Sequence, residues 1–458
     1  MEEPIMLADT ILLFDSYSSD SKRLHDSFRM SGCECSVVVL EENDFLPDEV
    51  MSVYDLFLGY YGEKGNSLGK PRFFNEVPVP DLWSINAGVG ETDYGRITYQ
   101  HEEKGRIYYL DSPKKYLVQA VDWFDRKGAV RFRDHYNRYG AVCARIVYDG
   151  QGREQGKTWF SAGGQEAIVL NCVTGDLIVN DGELIKFFRT KMDMMIYFFQ
   201  RAGFEQKQIF YNSLAKPFLI SNRLGSLSRS DVLFWQEGMS EAIPGNMQVI
   251  LNGQAARTGR IMVQRRDSYN RLLELGANPD IVKRFGFVYD FKRKNGHQPQ
   301  ALICTNSERI EHCEELVQTF PQMHFHIAAV TLMSPKLMDM GKYENVSMYP
   351  GAGAEKLEEL FQLCDYYFDI NHWTEIVSAV YQAFLHDQLI FAFDETAHNR
   401  AYTADAHVYP AAEFDRMVSD VREVMEDRKQ MERRLKMQRE DAMAEEKDRY
   451  AEIIGSCV

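Results

Sequence analysis

The chain has 458 residues, enough for about three domains of ordinary size with large buried cores, which excludes a marginal mini-protein. Lys and Arg number 52 against 68 Asp and Glu, a formal net charge of -16, which excludes a nucleic-acid surface because phosphate neutralisation needs clustered cations. Eight scattered cysteines without a CxxC pair point to a reducing compartment rather than a disulfide framework. The opening "MEEPIMLADTILLFDSY" is acidic before an apolar run of strand length, unlike a secretory signal, and no stretch reaches about 18 apolar residues. These features predict a cytoplasmic protein and leave open a peripheral contact with the cytoplasmic face of the membrane.

From Thr10 to Gly59 the chain alternates "TILLFDSY", the helical "SKRLHDSFRMSG" and "CSVVVLEEN", the strand, helix, strand order of a parallel sheet covered on both faces. Residues 1–62 are therefore the first part of a Rossmann-like domain. Glycines then recur at Gly128, Gly140, Gly152, Gly164 and Gly175, between runs rich in aromatic and β-branched residues. Turn signals at that interval predict consecutive hairpins, so residues 63–183 read as an inserted antiparallel β-meander. An extended sheet needs its edges or a face covered, so this one should meet the rest of the chain or another protein. The α/β pattern resumes over 184–265 with the amphipathic "KFFRTKMDMMIYFFQRAG" and the predicted strands "QIFYNS", "DVLFWQE", "MQVILN" and "RIMVQ", completing the first Rossmann-like domain. Residues 266–412 form a second, with predicted strands "FGFVYDF", "QALICTN", "MHFHIAAV", "NVSMYP", "YYFDIN", "LIFAFD" and "AHVYP". Two such domains facing each other make a cleft, with ligands at the carboxyl ends of the strands. The charged segment 413–458 reads as a solvated C-terminal helix packed by one narrow apolar stripe.

"DINHWTEIVSAVYQAFLHDQ" (369–388) reads as a buried strand end, a polar elbow and an amphipathic helix, the place where many α/β enzymes hold a phosphate, yet it contains no Lys, Arg or Gly. The second domain resembles the nucleotide-sugar half of a retaining two-Rossmann glycosyltransferase, whose helix here carries two carboxylates about two turns apart. Aligning the helix end puts Thr374 and Gln382 at those positions, neither of them acidic, with Glu375 rotated by about 100° from the cleft. Arg309, in a helical run with acidic neighbours, is the single Arg or Lys that "ICTNSERIEHCEELV" offers to a diphosphate. A leaving diphosphate without neutralisation is poorly stabilised, so donor chemistry reads as lost. Asp369, Glu375 and Lys336 would have to carry it if the chain were instead an active transferase with a degenerate donor site. His324 and His326 read as bonded structural histidines, "PGNMQ" at 244–248 as a turn entering a strand, and no dinucleotide or P-loop motif occurs. The sequence thus implies no cofactor and no metal.

"NDFLPDEV" (43–50), "FFNEVPVPDLW" (73–83), "VDWFDRKG" (121–128), "DVLFWQE" (231–237), "PGNMQ" (244–248), "YDFKR" (289–293), "MSPKL" (333–337) and "DINH" (369–372) run in order along nearly the whole chain. Together they resemble the GtfB family, the noncatalytic subunits of a two-protein O-linked N-acetylglucosaminyltransferase of the accessory Sec system. The resemblance implies a GT-B-like α/β fold and no catalysis by this chain. It also implies a GtfA-type catalytic partner that holds UDP-GlcNAc and meets this chain through the β-meanders, and a serine-rich repeat adhesin as acceptor. Trp235, Gln236, Asn246, Asn371 and His372, at strand ends facing the expected cleft, are the candidate acceptor-binding residues. A purely structural chaperone of the partner, without acceptor contact, is a further alternative.

Overall fold

A computed structural model of the chain describes residues 8–42, 44–60, 69–88, 93–110, 116–182, 184–227 and 230–456. The expected boundaries at 62 and 183, Asn43 and Cys457 lie outside these residues. The described residues form three sheets of seven, ten and six strands in two compact units. One unit runs to Met262 and takes back Arg271–Lys283; the other holds Val263–Asn270 and Arg284–Ile453.

In the first unit, β1 (Thr10–Phe14), β2 (Ser36–Val39) and β3 (Val50–Ser52) pair in parallel. Every residue of β1 is buried, as its unbroken apolar run requires of a strand covered on both faces. The helix Ser19–Met30 begins at Ser18, whose hydroxyl accepts from the Ser21 N–H at 3.2 Å, and it buries Leu24 and Phe28.

The chain then enters the ten-stranded antiparallel sheet: β4 (Ser84–Asn86), β5 (Tyr94–Tyr99), β6 (Glu102–Tyr109), β7 (Val118–Phe124), β8 (Val130–Tyr136), β9 (Val142–Tyr148), β10 (Glu154–Phe160), β11 (Glu166–Asn171), β12 (Leu177–Asn180) and β13 (Ile185–Phe188). Sheet order follows chain order throughout, as a meander must. Gly128, Gly140, Gly152, Gly164 and Gly175 all have φ between 73° and 81°, the left-handed backbone these turns demand. One end of the sheet is sewn to the first sheet. Trp159 is buried, stacks on Tyr54 with ring centroids 5.7 Å apart, and donates its indole N–H to Glu42 at 2.8 Å. Lys157 also bonds Glu42, and Arg138 donates to Asp48 and to the Leu46 carbonyl.

β14 (Gln208–Tyr211), β15 (Asp231–Trp235), β16 (Thr258–Val263) and β17 (Val282–Arg284) complete the first sheet in the order β17-β16-β15-β14-β1-β2-β3. "MQVILN", expected as a strand, is instead the helix Gly245–Leu251, with Met247 and Ile250 buried one turn apart. "PGNMQ" is therefore a helix entry. "FGFVYDF" likewise departs from expectation: residues 285–299 run as an irregular strap with one bridge, Phe287 to Ala444.

The second unit holds a parallel sheet ordered β20-β19-β18-β21-β22-β23, from β18 (Gln300–Cys304), β19 (His324–Ala328), β20 (Val346–Tyr349), β21 (Tyr366–Asp369), β22 (Leu389–Phe393) and β23 (Val408–Tyr409). Alternation sorts its side chains. Ala301, Ile303, Phe325 and Phe368 pack on one face with Met417, Val421, Met431 and Leu435 of the C-terminal segment. Leu302, Cys304 and Tyr367 pack on the other with helices Ala354–Leu363 and Ala379–Leu385. The charged tail is three helices, Phe414–Glu426, Arg428–Asp441 and Lys447–Ser456, and its narrow stripe is part of this core. No helix among the described residues is long and apolar enough to cross a membrane.

Candidate functional site

At the carboxyl edge of the second unit's parallel sheet, β21 ends at Asp369 and the elbow begins. Asp369 is buried and accepts two bonds from His398, from its backbone N–H at 2.7 Å and from Nδ1 at 2.6 Å. That carboxylate bond raises the His398 pKa above its ordinary value. Asn371 is also buried, accepting the Thr305 hydroxyl at 2.7 Å. Thr374 is exposed and accepts from the Asn306 amide at 2.8 Å. Glu375 accepts the Val380 N–H at 2.7 Å, and burial, with Asp369 adding in the same direction, pushes its carboxyl above the usual range. The helix starts only at Ala379, after Val377 and Ser378 at φ 47° and 52°. Two consecutive left-handed non-glycine residues, one of them β-branched, are strained backbone.

The elbow thus differs from expectation in one respect. Thr374 and Gln382 do not share a helix: Thr374 and Glu375 lie in the elbow, and Gln382 sits mid-helix, its carbonyl accepting from His386. Asp369, Asn371, Thr374 and Glu375 are turned into a network of the protein's own donors and acceptors.

His372 faces other partners. Its Nε2 bonds the Glu311 carboxylate, and its backbone N–H donates to the Arg309 carbonyl at 3.0 Å. With Arg309, Ile310, Lys336, Leu337 and Met340 it lines a cavity of about 370 Å3. Arg309 is on the loop before the helix Cys313–Thr319 rather than inside a helix, because the chain is held at Ile310 by its bridge to Asn371.

The other candidates belong to the first unit. Gln236 is buried and ties elements together, accepting from the Asn212 amide at 2.8 Å and donating to the Asp20 carbonyl at 3.1 Å. Trp235 is buried at the end of β15, its indole N–H without a hydrogen-bond partner among the described residues. Asn246 donates to the Leu214 carbonyl at 2.8 Å, fastening its helix to the β14 loop. His326 is bonded on both ring nitrogens, to Tyr349 at 2.9 Å and Gln300 at 2.8 Å, and His324 bonds Ser347 at 2.8 Å. Among the described residues no group of three or more His, Cys, Asp or Glu is placed to hold a metal. Sequence reasoning missed His398, Thr305 and Glu311. All three follow carboxyl ends of strands, a position that could have flagged them.

Family models match four consecutive parts of the chain: the GtfB N-terminal domain over residues 11–57, the GtfB middle domain over 83–189, the GtfB third domain over 191–275, and the GftB/GlyA-F C-terminal domain over 301–438. A Streptococcus gordonii protein named UDP-N-acetylglucosamine--peptide N-acetylglucosaminyltransferase stabilizing protein GtfB is 39% identical over 418 residues, 91% of each chain. A Streptococcus agalactiae protein of the same name is 36% identical over 97% of this chain and 99% of its own. Among solved structures, a chain of a GtfA/B complex bound to UDP and GlcNAc is 37% identical, with a TM-score of 0.76 over 97% of this chain and 99% of its own.

Proposed function

The chain belongs to the GtfB family, and on that premise we propose that it is the noncatalytic, stabilising subunit of a protein O-GlcNAc transferase. In this reading a GtfA-type partner transfers GlcNAc from UDP-GlcNAc to serine and threonine. This subunit stabilises the partner, holds the serine-rich acceptor and uses no cofactor of its own. The two parallel sheets belong to a GT-B-like pair of Rossmann domains working at the cytoplasmic side of the membrane.

The observation that carries the reading is the closed elbow. Where a transferase would meet its sugar nucleotide, Asp369 is occupied by His398, Asn371 by Thr305 and Glu375 by a helix N–H, and no Lys or Arg lies between 369 and 388. Developing negative charge on a leaving diphosphate needs preorganised donors or cations, and these groups supply carboxylates. Acceptor holding is supported by a different consideration. Serine-rich chains are flexible and poor in apolar groups, so a subunit that holds them raises the local concentration of hydroxyls at its partner's active site.

The meander is the proposed partner surface. Val169, Ile178 and Phe187 are paired in register across β11, β12 and β13 and so share one face, and Ile185 follows on the edge strand. Ile178, Ile185 and Phe187 are 45%, 76% and 60% exposed, a contiguous apolar patch beside an unpaired strand edge.

Calorimetric titration of the purified chain with UDP-GlcNAc tests the loss of donor chemistry. No binding heat is expected up to millimolar nucleotide. Saturable binding, with hydrolysis of the donor by the isolated chain, would replace this reading with that of an active transferase having a degenerate site.

A further inference from the structure

The cavity beside the elbow is built differently from the elbow itself. Its wall has polar groups left over after internal bonding. Arg309 and Lys336 are exposed, and neither side chain has an ion-pair or hydrogen-bond partner among the described residues, whereas Lys342 is shared by Glu314 and Asp339 at 3.1 Å each. His372 spends Nε2 on Glu311, and its Nδ1 has no partner among the described residues. Ile310, Leu337 and Met340 contribute apolar lining between these groups. The volume, about 370 Å3, falls within the range of about 300 to 1,000 Å3 typical of ligand sites.

Charge decides which ligand fits. Against Arg309, Lys336 and Lys342 the same wall sets the carboxyl groups of Glu308, Glu311, Glu314 and Asp339, so a diphosphate would be repelled on balance. A neutral chain with hydroxyls and peptide carbonyls meets no such repulsion. Its carbonyl oxygens accept from the free guanidinium and ammonium, a serine hydroxyl, able to donate or accept, bonds Nδ1 of His372, and small β-carbons lie against the apolar lining.

We propose that this cavity, bounded by Arg309, Lys336 and His372, is where an extended segment of small, hydroxyl-bearing acceptor residues is held. The proposal rests on the acceptor-holding reading above and assigns it a place and a chemistry: uncharged, serine-dense polypeptide engaged through its carbonyls and hydroxyls, next to a sealed donor elbow.

The test uses the full-length chain and a fluorescent synthetic peptide alternating serine and alanine, with an all-alanine peptide as competitor. Arg309→Ala combined with Lys336→Ala should weaken binding by about tenfold or more, the loss expected for charged hydrogen bonds, at an unchanged melting temperature. Lys336→Gln alone should weaken it less, and the all-alanine peptide should not compete. Wild-type binding that the double variant retains in full overturns this assignment and leaves the acceptor-holding reading intact. Absence of wild-type binding to the serine peptide overturns both.

Discussion

His407 is fully buried against Phe391, ring centroids 5.5 Å apart, and neither ring nitrogen has a hydrogen-bond partner among the described residues. Burial, with Arg434 nearby, pushes its pKa down to about 3. The unfolded chain binds that proton near the ordinary value of about 6.5, so unfolding takes up a proton at mildly acid pH. The stability this neutral ring permits is therefore complete above about pH 6.5 and falls by up to about 1.4 kcal/mol per pH unit below it. His407→Leu should flatten the fall of the urea midpoint between about pH 7 and about pH 5; an undiminished slope in the variant would exclude His407 as its source. His398 works in the opposite sense, because its raised pKa adds stability below its unfolded value that is lost as pH rises through the folded one. At this scale the residue types of the site were legible and their partners were not. That 369–388 lacks cations is visible in the letters, but Asn371 pairs with Thr305 and Asp369 with His398 across 66 and 29 residues, which no local pattern encodes.

The elements show where local patterning is sufficient and where tertiary packing overrides it. Each glycine of the meander's recurring series sits at a positive φ in a hairpin turn, so the turn chemistry alone marks those hairpins. Gly245–Leu251 was misread because "MQVILN" is a short apolar run whose period is ambiguous, and the i, i+3 spacing of Met247 and Ile250 decides it only once burial is known. The tail, expected as one solvated helix packed by a narrow apolar stripe, is three helices, and the stripe of Met417, Val421, Met431 and Leu435 is buried within the second unit's core. The outer meander strands carry the element-scale prediction. Phe187→Asp should change the chain's unfolding free energy by less than about 1 kcal/mol, because the residue is 60% exposed, while weakening association with a GtfA-type partner by about tenfold to a hundredfold, the value of one buried aromatic side chain. Unaltered co-purification of the variant with the partner would move the interface elsewhere.

For the whole molecule, three sheets account for the chain's architecture: two parallel α/β layers and one meander fastened to the first of them through Trp159, Lys157 and Arg138. Trp159→Ala should cost about 3 to 5 kcal/mol in chemical denaturation, since it empties a buried aromatic site and removes one of Glu42's donors, Lys157 being another; a smaller loss would mean that the meander is held by its polar ties instead. The order of these layers was readable because apolar run length and turn spacing are local quantities. The lack of Lys and Arg between 369 and 388 is likewise visible in the letters. The meeting of Arg309, Lys336 and His372 from three separate segments in one cavity is a matter of three-dimensional juxtaposition, which no local pattern encodes. As a noncatalytic, stabilising subunit, this chain is expected to contribute no chemistry of its own and to make its partner's chemistry productive. The most direct measurement is transfer of radiolabelled GlcNAc from UDP-GlcNAc to a serine-rich acceptor by the catalytic partner alone, by this chain alone and by the two together. Label should enter the acceptor when both are present, little with the partner alone and none with this chain alone; transfer by this chain alone, or no gain on adding it to its partner, would overturn the assignment.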